Sequence, residues 1–98
     1  MDIGKPLEIQ VTVDRAESRV GQEMSFLVEA TGTQLEQVSI QFGNGEGDTL
    51  SAMGADTATM RATHAYLQAG TFQVTATALQ ITGESVSDRI EVRILDAP

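Results

Sequence analysis

Three side chains with oxygen ligands alternate in one glycine-rich stretch of the sequence. Asn44, Glu46 and Asp48 stand at every second position, which is the spacing of the first ligands in a calcium-binding loop. Counted from Asn44, however, the sixth position is Thr49, where that loop needs glycine, and the twelfth is Ala55, where it needs glutamate. The stretch therefore predicts a tight turn whose acids face water.

A weak surface site for calcium is the alternative for the acids of this region. Its candidate ligands are Glu46, Asp48 and Asp56. His64 is the only histidine and the chain has no cysteine, so no imidazole or thiolate cluster is available for a metal. For His64 we expect a structural role, with a ring nitrogen bonded to loop backbone.

Catalytic chemistry finds little support in these residue types. No serine lies in a Gly-x-Ser-x-Gly turn, and the hydroxyl side chains fall mostly in outward-facing rows of predicted strands. Hydrolysis by paired carboxylates needs a cleft, which a small sheet domain rarely offers. We therefore predict that the chain is not an enzyme and uses no cofactor.

Length and charge limit the domain count and the partners. Ninety-eight residues suffice for one domain, 1–98, with one core over about 7–95. The 6 basic and 14 acidic residues give a net charge of −8, which repels phosphate backbones and anionic membrane surfaces. We find neither a signal peptide nor an apolar run of about 20 residues, the length of a membrane span. We therefore expect that the domain does not bind nucleic acid and does not insert into a membrane.

Alternation of apolar and polar residues predicts short β-strands along the whole chain. Leu7, Ile9, Val11 and Val13 show the period of a half-buried strand, whereas residues 14–23 carry polar turn chemistry. The predicted strands span 7–13, 24–30, 37–42, 50–52, 57–63, 71–79 and 85–95. Seven strands separated by turn signals predict an all-β, antiparallel two-sheet sandwich.

Two motifs within this pattern resemble a known family. The run "VSIQFGNGEG" is followed by "HAYLQAGTFQVTATA". The pair resembles the signature of the polycystic kidney disease (PKD) domain, an immunoglobulin-like β-sandwich with a Trp-Asp-Phe-Gly-Asp-Gly run, then His-x-Tyr, a glycine and an aromatic-x-Val strand. The residues of the structural motif are Phe42, Gly43, Asn44, Gly45, His64, Tyr66, Gly70, Phe72 and Val74.

The motif departs from the family pattern at three positions. Ile40 replaces the tryptophan, Gln41 the first aspartate and Asn44 the second. We expect Ile40, with Met24 or Met60, to fill the volume of the missing ring, because methionine adapts to irregular gaps. Asn44 is expected to take left-handed backbone angles and to bond to its own loop.

The resemblance also implies roles for Tyr66 and for the domain. Tyr66 resembles the tyrosine of a sandwich corner, whose hydroxyl bonds to upstream backbone. The family implies a non-catalytic spacer, adhesion or protein-interaction module of a larger secreted or cell-surface protein. The expected location is extracellular, and the expected partners are neighbouring domains of the parent chain and another protein.

A binding module for protein or polysaccharide, accessory to a secreted hydrolase, is the alternative function. The four aromatic residues fall on inward phases, which disfavours sugar binding. Two outward rows are predicted to lie side by side on one sheet, either as a solvated surface or as a binding face. These rows contain Gln37, Ser39, Gln41, Gln73, Thr75 and Thr77.

Overall fold

Extended backbone accounts for the regular secondary structure of the chain. The computed structural model describes residues 6–96, and in that range it contains β-strands and no helix. The described part of the chain accordingly has no helix long and apolar enough to cross a membrane. The strands are β1 Glu8–Val13, β2 Glu17–Arg19, β3 Glu23–Gln41, β4 Gly47–Ala65, β5 Gly70–Gln80 and β6 Ser85–Leu95.

The predicted all-β class is confirmed, but the described residues form six strands instead of seven. The two predicted strands on either side of residues 31–36 form the single strand β3, and those on either side of residues 53–56 form β4. These interruptions stay extended because β3 and β4 pair with each other through most of their length, with register shifts between Thr31 and Gln37.

The third difference lies in residues 14–23, which were predicted as a polar turn. They contain the short strand β2, which pairs in parallel with β6 so that Glu17 lies opposite Arg93. The inward side chain of β2 is not apolar: Ser18 is buried and donates to Gln22 Oε1 at 2.9 Å. Backbone pairing makes this segment a strand, and an apolar alternation therefore does not reveal it.

β3 and β4 each contribute to both layers of the fold. The first half of β3, up to Thr31, pairs with β1 and with the second half of β4. The second half of β3, from Leu35, pairs with β5 and with the first half of β4. The hydrogen-bonded order is β1-β3-β5-β6-β2, with β4 also on β3. This one curled sheet brings its two halves face to face as a sandwich.

The core lies between these two halves. Phe26 is in the first half of β3 and Phe42 directly follows its end, yet their ring centroids are 5.3 Å apart. Burying one such side chain contributes about 1.5–3 kcal/mol. Ile40, Met24 and Met60, expected in place of the family's tryptophan, are all buried. The other buried apolar residues are Val11, Val28, Ala30, Leu35, Val38, Ala62, Tyr66, Val74, Ala76, Ala78, Val92 and Ile94.

One buried glutamine fixes the place where β3 changes layers. Gln80 Oε1 accepts the backbone N–H groups of Thr33 at 2.8 Å and Gln34 at 3.4 Å. Its Nε2 donates to Glu84 Oε1 at 3.2 Å. Gly32 is buried, and a Cβ there would lie 2.6 Å from Gln80 Oε1. The amide therefore occupies the space beside the crossing and supplies an acceptor to its backbone.

Candidate functional site

The glycine loop of the predicted motif connects β3 to β4. The Phe42 N–H donates to Glu46 O at 2.9 Å and closes the loop. Gly43 and Gly45 have φ of 87° and 92°, whereas Asn44 does not have positive φ. The left-handed angles expected at Asn44 thus fall on its two neighbours, because glycine lacks the Cβ that makes this conformation costly.

Asn44 ties the loop together through its side chain. Its Oδ1 accepts the backbone N–H of Glu46 at 3.2 Å, and its Nδ2 donates to Glu46 Oε2 at 3.2 Å. The same Nδ2 lies 2.9 Å from His64 Nε2. Because an amide nitrogen only donates, Nε2 is the acceptor and a neutral His64 ring carries its proton on Nδ1.

The His64 ring lies between the aromatic rings of Phe42 and Tyr66 at this end of the core. It stacks on Phe42 with centroids 4.2 Å apart and planes within 2°, and meets Tyr66 edge-on at 4.7 Å. From the sequence we expected a ring nitrogen bonded to loop backbone. The structure instead pairs Nε2 with the side chain of Asn44. Glu46 Oε2 lies 3.8 Å from His64 Nε2, so the carboxylate borders the ring.

Tyr66 directly follows β4 and joins the layer that contains β1 to the glycine loop. Its hydroxyl donates to the carbonyl oxygen of Phe42 at 2.7 Å in a buried position, and its ring stacks on Phe72 at 4.5 Å. Burial disfavours the charged phenolate and raises the pKa of Tyr66 from 10.0 to about 12. The phenol is therefore neutral and available as a donor at physiological pH. The accepting carbonyl lies upstream, as in a tyrosine corner.

Gly70 and Val74 complete the motif at the start of β5. Gly70 has φ of 146° and pairs with Ile94 of β6. Val74 is fully buried and pairs with Ile90. Both positions thus anchor the strand that carries Phe72 toward the aromatic cluster.

The three calcium candidates do not form one group. Glu46 is engaged with Asn44 and lies near His64, while Asp48 Oδ1 accepts its own neighbour's N–H, that of Thr49, at 3.2 Å. Asp56 lies at the middle of β4, where the strand passes from one layer to the other, and so is well separated along the strand from Asp48 near its start. Within residues 6–96 no three histidine, cysteine or acidic side chains are placed to hold a metal ion.

The two polar rows lie on neighbouring strands of one layer. Ser39 is opposite Thr77, and Gln41 is opposite Thr75. Gln37 is opposite Leu79 on the same pair of strands. The rows continue onto β6, where Thr77 Oγ1 lies 2.9 Å from Ser87 Oγ. Gln73 Oε1 likewise accepts from the Arg89 guanidinium at 3.4 Å. The result is a hydrogen-bonded polar surface without an aromatic ring.

Two polar contacts between strands were not predicted from the sequence. One is Gln80, whose signal is visible afterwards: it shares the inward phase of Phe72, Val74, Ala76 and Ala78. The other is Asp88, whose Oδ2 accepts the N–H of Val11 at 3.0 Å. Asp88 likewise shares the inward phase of Val86, Ile90 and Val92, but no local pattern identifies its partner, because the two residues are 77 positions apart.

Comparison with known proteins agrees with this architecture. No curated protein matches the chain. Among solved structures, the PKD domain of an M14-like peptidase from a Thermoplasmatales archaeon is 19% identical, with a TM-score of 0.78 over 93% of this chain and 97% of that one. The CARDB domain of a Pyrococcus furiosus protein, solved in complex with di-metal ions, is 10% identical, with a TM-score of 0.63 over 93% and 96%. These likenesses establish the fold.

The family itself is shown by the sequence. The family model of the PKD domain matches residues 8–93, which is most of the chain. The matched range contains the glycine loop, His64, Tyr66 and the start of β5, so the residues that carried the resemblance are also those that build the aromatic cluster. The chain belongs to the PKD domain family, a family of non-catalytic modules of larger proteins.

Proposed function

We propose that this domain is an extracellular, non-catalytic spacer or protein-interaction module of a larger secreted or cell-surface protein. One observation carries the proposal: the polar groups of the motif bond to one another. The Tyr66 hydroxyl is held by Phe42, and the Asn44 amide is held by His64 and Glu46. Groups committed in this way stabilise a scaffold and are not free to act on a substrate.

The placement of the two chain ends supports a spacer role. Leu7 lies beside Gly32, at the end of the molecule where Gln80 terminates β5. Leu95 accepts the N–H of Val20 at the other end, near Tyr66. An 11-residue strand such as β5 spans roughly 35 Å. Neighbouring domains attached at both ends would thus be held apart by about the length of the sandwich.

A domain exchange in the parent protein tests this proposal. We expect that replacing the domain by an unrelated sandwich of equal length preserves the parent's activity if it acts as a spacer, and abolishes partner binding if it is an interaction module. Digestion of intact cells by an added protease should remove the domain, detected with an antibody against it. Protection from the protease until the cells are lysed would contradict the extracellular location.

A binding module accessory to a secreted hydrolase is the second candidate. The polar surface of Ser39, Gln41, Thr75 and Thr77 favours it, because the rows are adjacent, with Gln41 exposed and the other three residues partly exposed. NMR titration with candidate polysaccharides and proteins tests it. Binding should shift amides of these residues and weaken in Gln41→Ala, while Gln10→Ala, in β1 of the other layer, serves as control. Shifts spread evenly over both layers would speak against a defined face.

A further inference from the structure

We propose that Asn44 is a site of spontaneous deamidation in the folded domain. Asn44 is the only asparagine of the chain and is followed by Gly45. Both residues are exposed. A side chain at the following residue hinders attack by its backbone nitrogen on the asparagine amide. At Gly45 that hindrance is absent, and the space around its Cβ position is empty within 4 Å.

The loop holds the reacting groups within one turn. The Oδ1 of Asn44 accepts the N–H of Glu46 at 3.2 Å, so the side chain is folded back over its own backbone. Its Nδ2, the leaving nitrogen, donates to Glu46 Oε2 and to His64 Nε2. The amide and the attacking nitrogen thus lie in the same exposed turn.

The chemistry needs only water as a co-reactant. The backbone nitrogen of Gly45 bonds to Asn44 Cγ, the Cγ–Nδ2 bond breaks, and ammonia leaves. The proton of the Gly45 N–H passes to water, and the departing nitrogen takes a proton from water. One water then opens the cyclic imide at either carbonyl, which yields aspartate or isoaspartate. The net reaction consumes one water and releases one ammonia.

Conversion reverses the hydrogen bonds of the motif. The Nδ2 donor that served His64 Nε2 and Glu46 Oε2 becomes a carboxylate oxygen, which only accepts. A neutral His64 can then bond to it only by carrying its proton on Nε2. The new carboxylate also faces that of Glu46, and like charges at this distance repel. Deamidation thus replaces an amide that donates to His64 and Glu46 by a carboxylate that accepts a hydrogen bond from His64 and adds a negative charge to the loop.

Ageing of the intact chain tests the site. Folded protein and protein unfolded in urea are incubated at one temperature and pH, and position 44 is followed by peptide mapping with mass spectrometry. We expect conversion in the folded protein to be no more than about tenfold slower than in urea, a barrier difference of about 1.4 kcal/mol. Aspartate and isoaspartate should both form. A slower conversion than this in the folded protein would overturn the proposal.

Two variants separate the chemistry from a general loosening of the loop. Asn44→Gln keeps the amide but enlarges the ring that must close, so it should show no conversion at position 44. Conversion there at the wild-type rate would overturn the mechanism. Asn44→Asp supplies one product directly. Its His64 ring, at a pH where it is neutral, should carry the proton on Nε2 by nitrogen NMR, and retention on Nδ1 would overturn the predicted reversal.

Discussion

Two glycines of the loop share a backbone conformation but not their surroundings. Gly43 has φ of 87°, and a Cβ there would lie 2.6 Å from the backbone oxygen of Gln73. Gly45 has φ of 92°, and its Cβ position has no neighbour within 4 Å. The pair therefore separates the cost of a left-handed backbone from the cost of a close approach between the loop and β5.

We expect Gly43→Ala to destabilise the domain more than Gly45→Ala. Alanine in left-handed backbone costs about 1–2 kcal/mol at either position. Only at position 43 must the backbone of β5 also move away. Urea unfolding of both variants measures the difference in the free energy of unfolding, and equal losses would show that the approach to Gln73 is not tight.

The buried hydroxyl of Tyr66 is the next prediction at the scale of single residues. Tyr66→Phe removes the donor to Phe42 O and leaves a buried carbonyl unpaired. We expect a loss of about 1–3 kcal/mol in the free energy of unfolding, with the fold retained. Denaturant unfolding with far-ultraviolet circular dichroism measures it. An unchanged midpoint would mean that the bond makes no net contribution.

The Tyr66 phenol also makes the free energy of unfolding depend on pH in the alkaline range. Its pKa is raised to about 12 in the folded state against 10.0 for an exposed tyrosine. The unfolded chain therefore loses the proton first, and stability that is complete below pH 10.0 falls as the pH approaches about 12. Two pKa units correspond to about 3 kcal/mol as an upper value.

Tyr66 is the only tyrosine, so tyrosinate absorbance reports its titration directly. Unfolding measured across this alkaline range should show the loss in wild type and not in Tyr66→Phe. A parallel decline in both proteins would assign the effect to other groups.

At the scale of elements, Gln80 determines how β3 crosses between layers. Gln80→Leu preserves much of the volume but removes the acceptor for the N–H groups of Thr33 and Gln34. Both residues are exposed and these bonds are only partly buried, so each lost bond costs about 0.5–1.5 kcal/mol, the net contribution of a typical hydrogen bond. We expect a loss in this range and faster hydrogen exchange at Thr33.

Gln73→Leu is the matched control for this prediction. Gln73 lies on the same strand but is exposed, and its side chain makes only a long contact with Arg89. Surface substitutions of this kind usually change stability by less than about 0.5 kcal/mol. If both variants lost the same stability, the crossing would not depend on the Gln80 amide.

At the scale of the whole molecule, Asp88 links the first strand to the last. Its carboxylate accepts the N–H of Val11, and so joins β1 in one layer to β6 in the other. We expect Asp88→Ala to cost about 1.5–3 kcal/mol, the range for a hydrogen bond to a charged group. Asp48→Ala is the control, because that carboxylate bonds only to the adjacent Thr49. Equal losses in thermal or urea unfolding would refute the link.

Much of the fold was predictable because its determinants are local. Apolar residues at every second position give strands with one buried face, whatever their partners. β6 was predicted over the same residues that form it, and the β5 prediction differed by one residue at each end. Loop glycines likewise permit positive φ without reference to the rest of the chain. The motif that identifies the family consists of these local signals.

Tertiary structure alone decided how the strands meet. The sequence did not show that β3 passes through both layers, that β2 is a strand, or that Asn44 bonds to the ring of His64. These features depend on pairs far apart in the chain, and periodicity in one segment carries no information about the register or the layer of another. Apolar alternation specifies which face is buried, whereas the partner of a buried polar group is fixed only when the layers pack.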